Sequence, residues 1–133
     1  MHTIEVRSDR REQLIDITGQ VGGALAELGL AEGGLLVYVP HTTAAVTLNE
    51  GYDPDVASDV NGWLKGSVPQ DAGFAHAEGN SDAHVKTILV GPSVIVPVAG
   101  GRLRIGRWQA LFLCEFDGPR QREVWLQPLA AAG

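Results

Sequence analysis

The sequence predicts a compact α+β fold: a mixed or antiparallel sheet, about three helices and a C-terminal β-meander. Three observations carry that expectation. Strand-like segments stand near both ends, stretches with helical spacing interrupt them, and almost everything after Val94 reads as β. The 133 residues, 44% hydrophobic and 20% charged, suit one core and a single domain over 1–133.

Thr3 to Arg7 alternates apolar and polar residues, as a half-buried strand does. Leu14-Ile15-Asp16-Ile17 reads as a second strand. Thr18 is placed to cap a helix that carries Val21, Leu25 and Leu28 on one face. Gly22-Gly23 weakens that helix by roughly 1 kcal/mol per glycine, which suggests a close approach by another backbone. Gly29 is a suitable stop. Leu35 to Val39 is an unbroken apolar run, the pattern of a strand covered on both faces. Ala44 to Leu48 is a further strand. Asp53-Pro54 opens a helix, with Val56, Val60 and Leu64 on its buried side and Gly66 at its close. Residues 69–79 read as a loop. Asn80 or Ser81 caps a third helix, with Val85, Ile88 and Leu89 expected to face the core. Val94–Val98, Leu103–Ile105, Trp108–Phe116 and Arg122–Gln127 complete the β part, and Asp117-Gly118-Pro119 turns the chain between the last two.

Charge and composition exclude several classes. A net charge of −6 without a dominant basic stripe argues against nucleic acid as a partner. No apolar run approaches the roughly 20 residues of a membrane helix, so no membrane association is expected. The N-terminus has neither a basic head nor an apolar stretch, which makes a cytoplasmic location the default expectation. Cys114 is the only cysteine, lies in an apolar strand and reads as a buried thiol. Lys65 is the one basic residue between Glu32 and Asp82, whereas Arg102, Arg104, Arg107, Arg120 and Arg122 crowd the C-terminal part.

The candidate chemistry centres on histidines. His41, His76 and His84 sit in polar or loop-flanking contexts. Three neutral imidazoles with an open fourth position are the ligand set of a catalytic zinc site. The plainer alternative is that each ring hydrogen-bonds locally. Glu50, Glu78 and Asp82 are candidate general bases or partners that orient a histidine. For Asp82 the alternative is a favourable charge in the first turn of a helix. Thr42 and Thr43 offer hydroxyls beside His41, and Asn80 stands at a helix start, where anions bind. Arg107 and Arg120 are candidates for bidentate contacts to the same anion. No Walker, Rossmann or GxSxG pattern is present.

Four motifs together resemble the YjbQ-like family, whose members are also called secondary thiamine-phosphate synthase. They are His41-Thr42-Thr43-Ala44 with Asn49-Glu50, then His76 to Lys86, then Gly106-Arg107-Trp108-Gln109, then Glu115 to Arg122. The resemblance spans nearly the whole chain. It implies an α+β fold, a homotrimer, and a divalent metal, zinc or magnesium, at the three matching histidines. It also implies a small phosphorylated substrate held with the help of Asn49 and Gln109. The implied reaction joins a pyrimidine diphosphate to a thiazole phosphate and releases pyrophosphate. Two alternatives stand beside it: a metal-dependent hydrolase, in which Glu50 or Glu78 deprotonates bound water, and a non-catalytic trimeric binding protein. Arg107 departs from the family pattern, which has Thr there. It either turns outward or adds charge to an anion site.

Overall fold

Hydrophobic alternation sorts the strands into two antiparallel sheets. The computed structural model describes residues 1–132. Its elements are β1 (His2–Arg7), β2 (Gln13–Asp16), α1 (Thr18–Leu28), β3 (Gly33–Tyr38), β4 (Ala44–Glu50), α2 (Pro54–Ser67), α3 (Ser81–Val90), β5 (Ser93–Ala99), β6 (Arg102–Leu103), β7 (Gln109–Glu115) and β8 (Gln121–Ala130). The larger sheet runs β1-β8-β3-β5-β6 and the smaller β2-β7-β4. The α+β class and the three helices are as expected. The C-terminal strands are shared between the sheets: β7 lies in the smaller one, and the Asp117–Arg120 turn carries the chain back into the larger one.

The main core lies between the sheets. Ile4, Val6, Leu35, Val37, Val124 and Leu126 meet Val46, Leu111 and Leu113, and Val21 and Leu25 of α1 close the layer. A second, smaller cluster covers the other face of β7, where Phe112, Cys114 and Phe116 pack with Ala45, Ala83 and Leu64. Both faces of β7 are thus buried by the chain's own residues. A strand apolar on both faces, which invites a second subunit as cover, is satisfied here by α2 and α3. Gly22 and Gly23 face no close backbone: a Cβ at Gly22 would meet only Leu103 Cδ1 at 3.9 Å, and one at Gly23 nothing within 4 Å.

Helix starts differ from expectation in an instructive way. Asp53 does cap α2, its carboxylate accepting Asp55 N–H at 2.9 Å. Thr18 instead begins α1, with its N–H donated to Asp16 Oδ1 and its hydroxyl accepting from Leu111 N–H at 2.8 Å. Gly29 ends α1 in the left-handed region, with φ 65°.

The largest departure is the register of α3. Val85, Ile88 and Leu89 were the expected core face. Ile88 and Leu89 are 81% and 61% exposed, while Asp82, Ala83, Lys86 and Thr87 are buried. The inward face is held by charge. Asp82 accepts two hydrogen bonds from the Arg11 guanidinium, at 3.0 and 3.1 Å, and one from Lys86 Nζ at 3.0 Å. Lys86 also reaches Glu12 at 3.2 Å. Burial pushes the Asp82 carboxyl upward, but the Arg11 and Lys86 hydrogen bonds outweigh it and hold the carboxyl below its ordinary range. Among the described residues no helix is long and apolar enough to cross a membrane.

This network generates a stability prediction. Lys86→Ala leaves Asp82 with one charged partner fewer in a buried place and should cost about 3–5 kcal/mol, as broken buried pairs do. Urea unfolding followed by circular dichroism measures it. A loss under about 1 kcal/mol, the range of exposed pairs, refutes a buried role for Lys86.

Candidate functional site

The site begins where the two sheets meet. Alternation along β1 carries Ile4, Val6 and then Ser8 inward, and alternation along β8 carries Leu126, Val124 and then Arg122 inward. Glu115 ends β7 at full burial. These polar residues therefore meet in the interior. Arg122 donates through Nε to Glu115 Oε1 at 2.8 Å and through Nη2 to Glu115 Oε2. The same Nη2 reaches Thr43 Oγ1 at 2.8 Å, and Ser8 Oγ donates to Glu115 Oε1 at 2.7 Å. Desolvation raises the Glu115 carboxyl, and the hydrogen bonds from Arg122 and Ser8 more than reverse this and hold it low. Gly118 must pass beside this cluster. A Cβ there would lie 2.7 Å from Ser8 Oγ and 2.9 Å from Glu115 Cγ.

Above the cluster opens a polar cleft of about 370 Å³. Its walls come from the β3–β4 connection (His41, Thr42, Thr43), the approach to α3 and its first turn (Glu78, Asn80, His84), and the Asp117–Arg122 corner. His41 Nε2 accepts the backbone N–H of Glu123 at 2.9 Å. That bond places the ring proton on Nδ1, which makes this face of His41 a neutral donor. Burial lowers the His41 pKa from its ordinary 6.5, and the nearby Arg122 charge lowers it further. Asn80 Nδ2 donates to Asp117 Oδ2 at 2.9 Å. Because Asp117 can only accept, the Asn80 amide orientation is settled. Its Oδ1 is buried without a hydrogen-bond partner among the described residues.

The residues singled out from sequence fall into three places. His41, Thr42, Thr43, Glu78, Asn80, His84 and Arg120 line the cleft together. Asp82 lies beneath it, fully buried in the Arg11 and Lys86 network. Asn49, Glu50 and Gln109 stand at the opposite end of the smaller sheet. Ala44 pairs with Glu115 at the cleft end and Glu50 pairs with Gln109 at the other, a separation of about 20 Å along a strand. Arg107 is exposed just before Gln109 and does not line the cleft.

The expected three-histidine metal centre is not assembled. Among the described residues no group of three or more His, Cys, Asp or Glu side chains is arranged to hold a metal ion. Of the three histidines, His41 and His84 line the cleft and His76 does not. His41 Nε2 is occupied by a backbone donor, and His76 meets His84 edge to face, at 5.7 Å between centroids and 88° between planes. The cleft also lacks surplus positive charge for a diphosphate. Arg120 and Arg122 are each engaged by a carboxylate, Asp117 and Glu115, and Glu78 adds a third. Ser8, Glu115 and Lys86 had not been singled out as site-building residues. The available signal was period-two continuation into polar residues in β1 and β8, and the i, i+4 pair Asp82–Lys86.

A family model described as UPF0047 protein YjbQ-like matches residues 2–131. The chain belongs to this family. UPF0047 protein MJ1081 of Methanocaldococcus jannaschii is 42% identical over 123 residues, 92% of this chain and 89% of that protein. UPF0047 protein YugU of Bacillus subtilis is 41% identical, over 96% and 97% of the two chains. An uncharacterized YjbQ/UPF0047 protein from Clostridium acetobutylicum superposes with a TM-score of 0.93 at 39% identity, covering 96% of this chain and 98% of its own. The conserved hypothetical protein TT1486 of Thermus thermophilus does so with 0.91 at 43% identity, covering 97% and 100%. These names state no reaction, and none of them is thiamine-phosphate synthase. With the histidine geometry, they overturn the expectation of metal-assisted thiamine-phosphate synthesis, and the hydrolase built on water bound by three histidines falls with it.

The His41 environment predicts a pH dependence. The folded ring holds its proton less tightly than the unfolded one, whose ordinary value is 6.5. Above that value both states are neutral and His41 costs nothing. As pH falls below it, the unfolded chain takes up a proton that the folded ring resists, so stability declines until the folded ring also protonates. NMR titration should give His41 a midpoint below 6.5, and His41→Gln should reduce the loss of stability in that window. A midpoint at or above the ordinary value contradicts the prediction.

Proposed function

We propose that the cleft binds a small polar organic molecule presenting a hydrogen-bond donor beside an acceptor, and that His84 and Glu78 exchange a proton with it. The observation that carries this reading is the unpartnered, buried Asn80 Oδ1, in a cleft that also holds the neutral His41 donor. A buried acceptor without a donor is costly unless something supplies one. A ligand hydroxyl or amide N–H meets Asn80, and a ligand carbonyl or hydroxyl oxygen meets His41 Nδ1. His84 and Glu78 are titratable residues of the same cleft that no salt bridge engages among the described residues. Thr43 and the Arg122–Glu115 pair keep the wall rigid, which preorganises the contacts.

A panel of small alcohols, amides and hydroxy acids titrated against labelled protein tests the reading. Binders should shift the Asn80 side-chain amide and the His41 ring together. Asn80→Ala should weaken them about tenfold, near 1.4 kcal/mol. His84→Ala and Glu78→Gln should each weaken binding without altering the fold. Binders that map elsewhere, or that bind Asn80→Ala unchanged, overturn it.

For assembly we propose a homotrimer, in line with the resemblance. The supporting feature is the outer face of the larger sheet. Tyr38 stacks on Trp125 at 5.7 Å, and Leu36 pairs in register with Ile95, which is 63% exposed. Such a contiguous apolar face is a typical contact surface between copies. Ile95→Asp should lower the mass seen in sedimentation equilibrium at micromolar concentration to that of a monomer. A monomeric parent protein refutes the assembly.

A further inference from the structure

A second cavity, across the smaller sheet from the main core, is built differently from the polar cleft. It lies between α2, α3 and the face of β7 that carries Phe112 and Cys114, and its volume is about 580 Å³. That is within the usual 300–1,000 Å³ of small-molecule pockets. Its existence follows from the register of α3. Because Asp82 and Lys86 occupy the inward face, Leu89 is turned toward this groove and stays 61% exposed. Helix α2 closes the space only partly. Leu64 is its one buried residue, Val56 and Val60 are half-buried, and Trp63 on the wall is 68% exposed.

The charged groups of this groove share one sign. Glu50 and Asp59 line it, and among the described residues no lysine or arginine does. Glu50 Oε2 accepts Tyr52 N–H at 3.0 Å, which orients the carboxylate. Neither acid is in a salt bridge among the described residues. The Cys114 thiol at the floor is pushed up to about 12 by burial, so it contributes apolar surface rather than charge.

We propose that this groove is a binding site for a small apolar molecule that carries one positive charge, an aromatic or alkyl amine. The apolar body packs against Val60, Trp63, Leu89 and Phe112. The ammonium faces Glu50 and Asp59, and the exposed Trp63 ring adds a cation–π surface. An anionic molecule of the same shape meets two unpaired carboxylates and is rejected.

The test uses a matched pair of probes, naphthylmethylammonium and naphthoate, with amide shifts mapped by NMR on the full chain. The ammonium should bind saturably, shift Trp63, Leu89 and Glu50, and bind about tenfold or more tighter than naphthoate. Glu50→Gln combined with Asp59→Asn should erase that preference. Ala57→Trp, which fills the groove, should abolish binding of both probes. Should that variant fail to fold, the charge-neutralising pair still decides the question. Equal affinity for the two probes, shifts confined to other surfaces, or no saturable binding overturns the proposal. So does concentration-dependent broadening at Trp63 and Leu89 without probe, which makes the groove a contact between copies instead.

Discussion

Glu115 and Arg122 lie on strands of different sheets, and neither is open to water. Their ion pair ties the end of β7 to the start of β8, and its remaining hydrogen bonds fasten Thr43 before β4 and Ser8 after β1. Four chain segments therefore converge on two side chains. Separated from each other, these charges would each face a large desolvation penalty. The sheets consequently pack in the arrangement that keeps the pair together. Apolar residues fill the space between the sheets, but they do not specify where one sheet hands the chain to the other.

The polar cleft follows from that clamp. Thr43 is held from below, so His41 two residues earlier arrives beside β8 and accepts the Glu123 N–H. Asp117, on the same corner, orders both Arg120 and Asn80. Each cation of the cleft is already engaged by an anion, and the charge left over is the Glu78 carboxylate. The site is thus suited to hydrogen-bond recognition rather than to holding a polyanion. The arginine-rich C-terminal part thus supplies the cleft with guanidinium groups that are already paired, Arg120 with Asp117 and Arg122 with Glu115.

A second buried network governs the other side. Asp82, Lys86, Arg11 and Glu12 fill the inner face of α3 with paired charge. Ile88 and Leu89 are turned out as a result, although their hydropathy favours the interior. Stranding one of these buried charges without its partner would cost about 3–5 kcal/mol, as much as or more than the roughly 1.5–3 kcal/mol that burying one aliphatic side chain yields, so the paired charges hold the inner face. The apolar groove beside α2 is a consequence of that choice.

By itself, the sequence determined the elements and the class. Period-two alternation marked β1, the Asp53-Pro54 pair marked the start of α2, and Gly29 marked the end of α1. It also singled out most of the polar cleft: His41, Thr42, Thr43, Glu78, Asn80, His84 and Arg120. These are local properties, written in spacing and residue type. Only the tertiary structure decided which polar residues face one another. Glu115 and Arg122, or Arg11 and Asp82, become partners through long-range pairing of strands and helix, which no local window contains. That pairing turned α3 around, engaged His41 Nε2 with the backbone, and placed Glu50 at the far end of its strand from the cleft. A charged side chain goes inside when a partner waits there, and the position of the partner is a property of the fold.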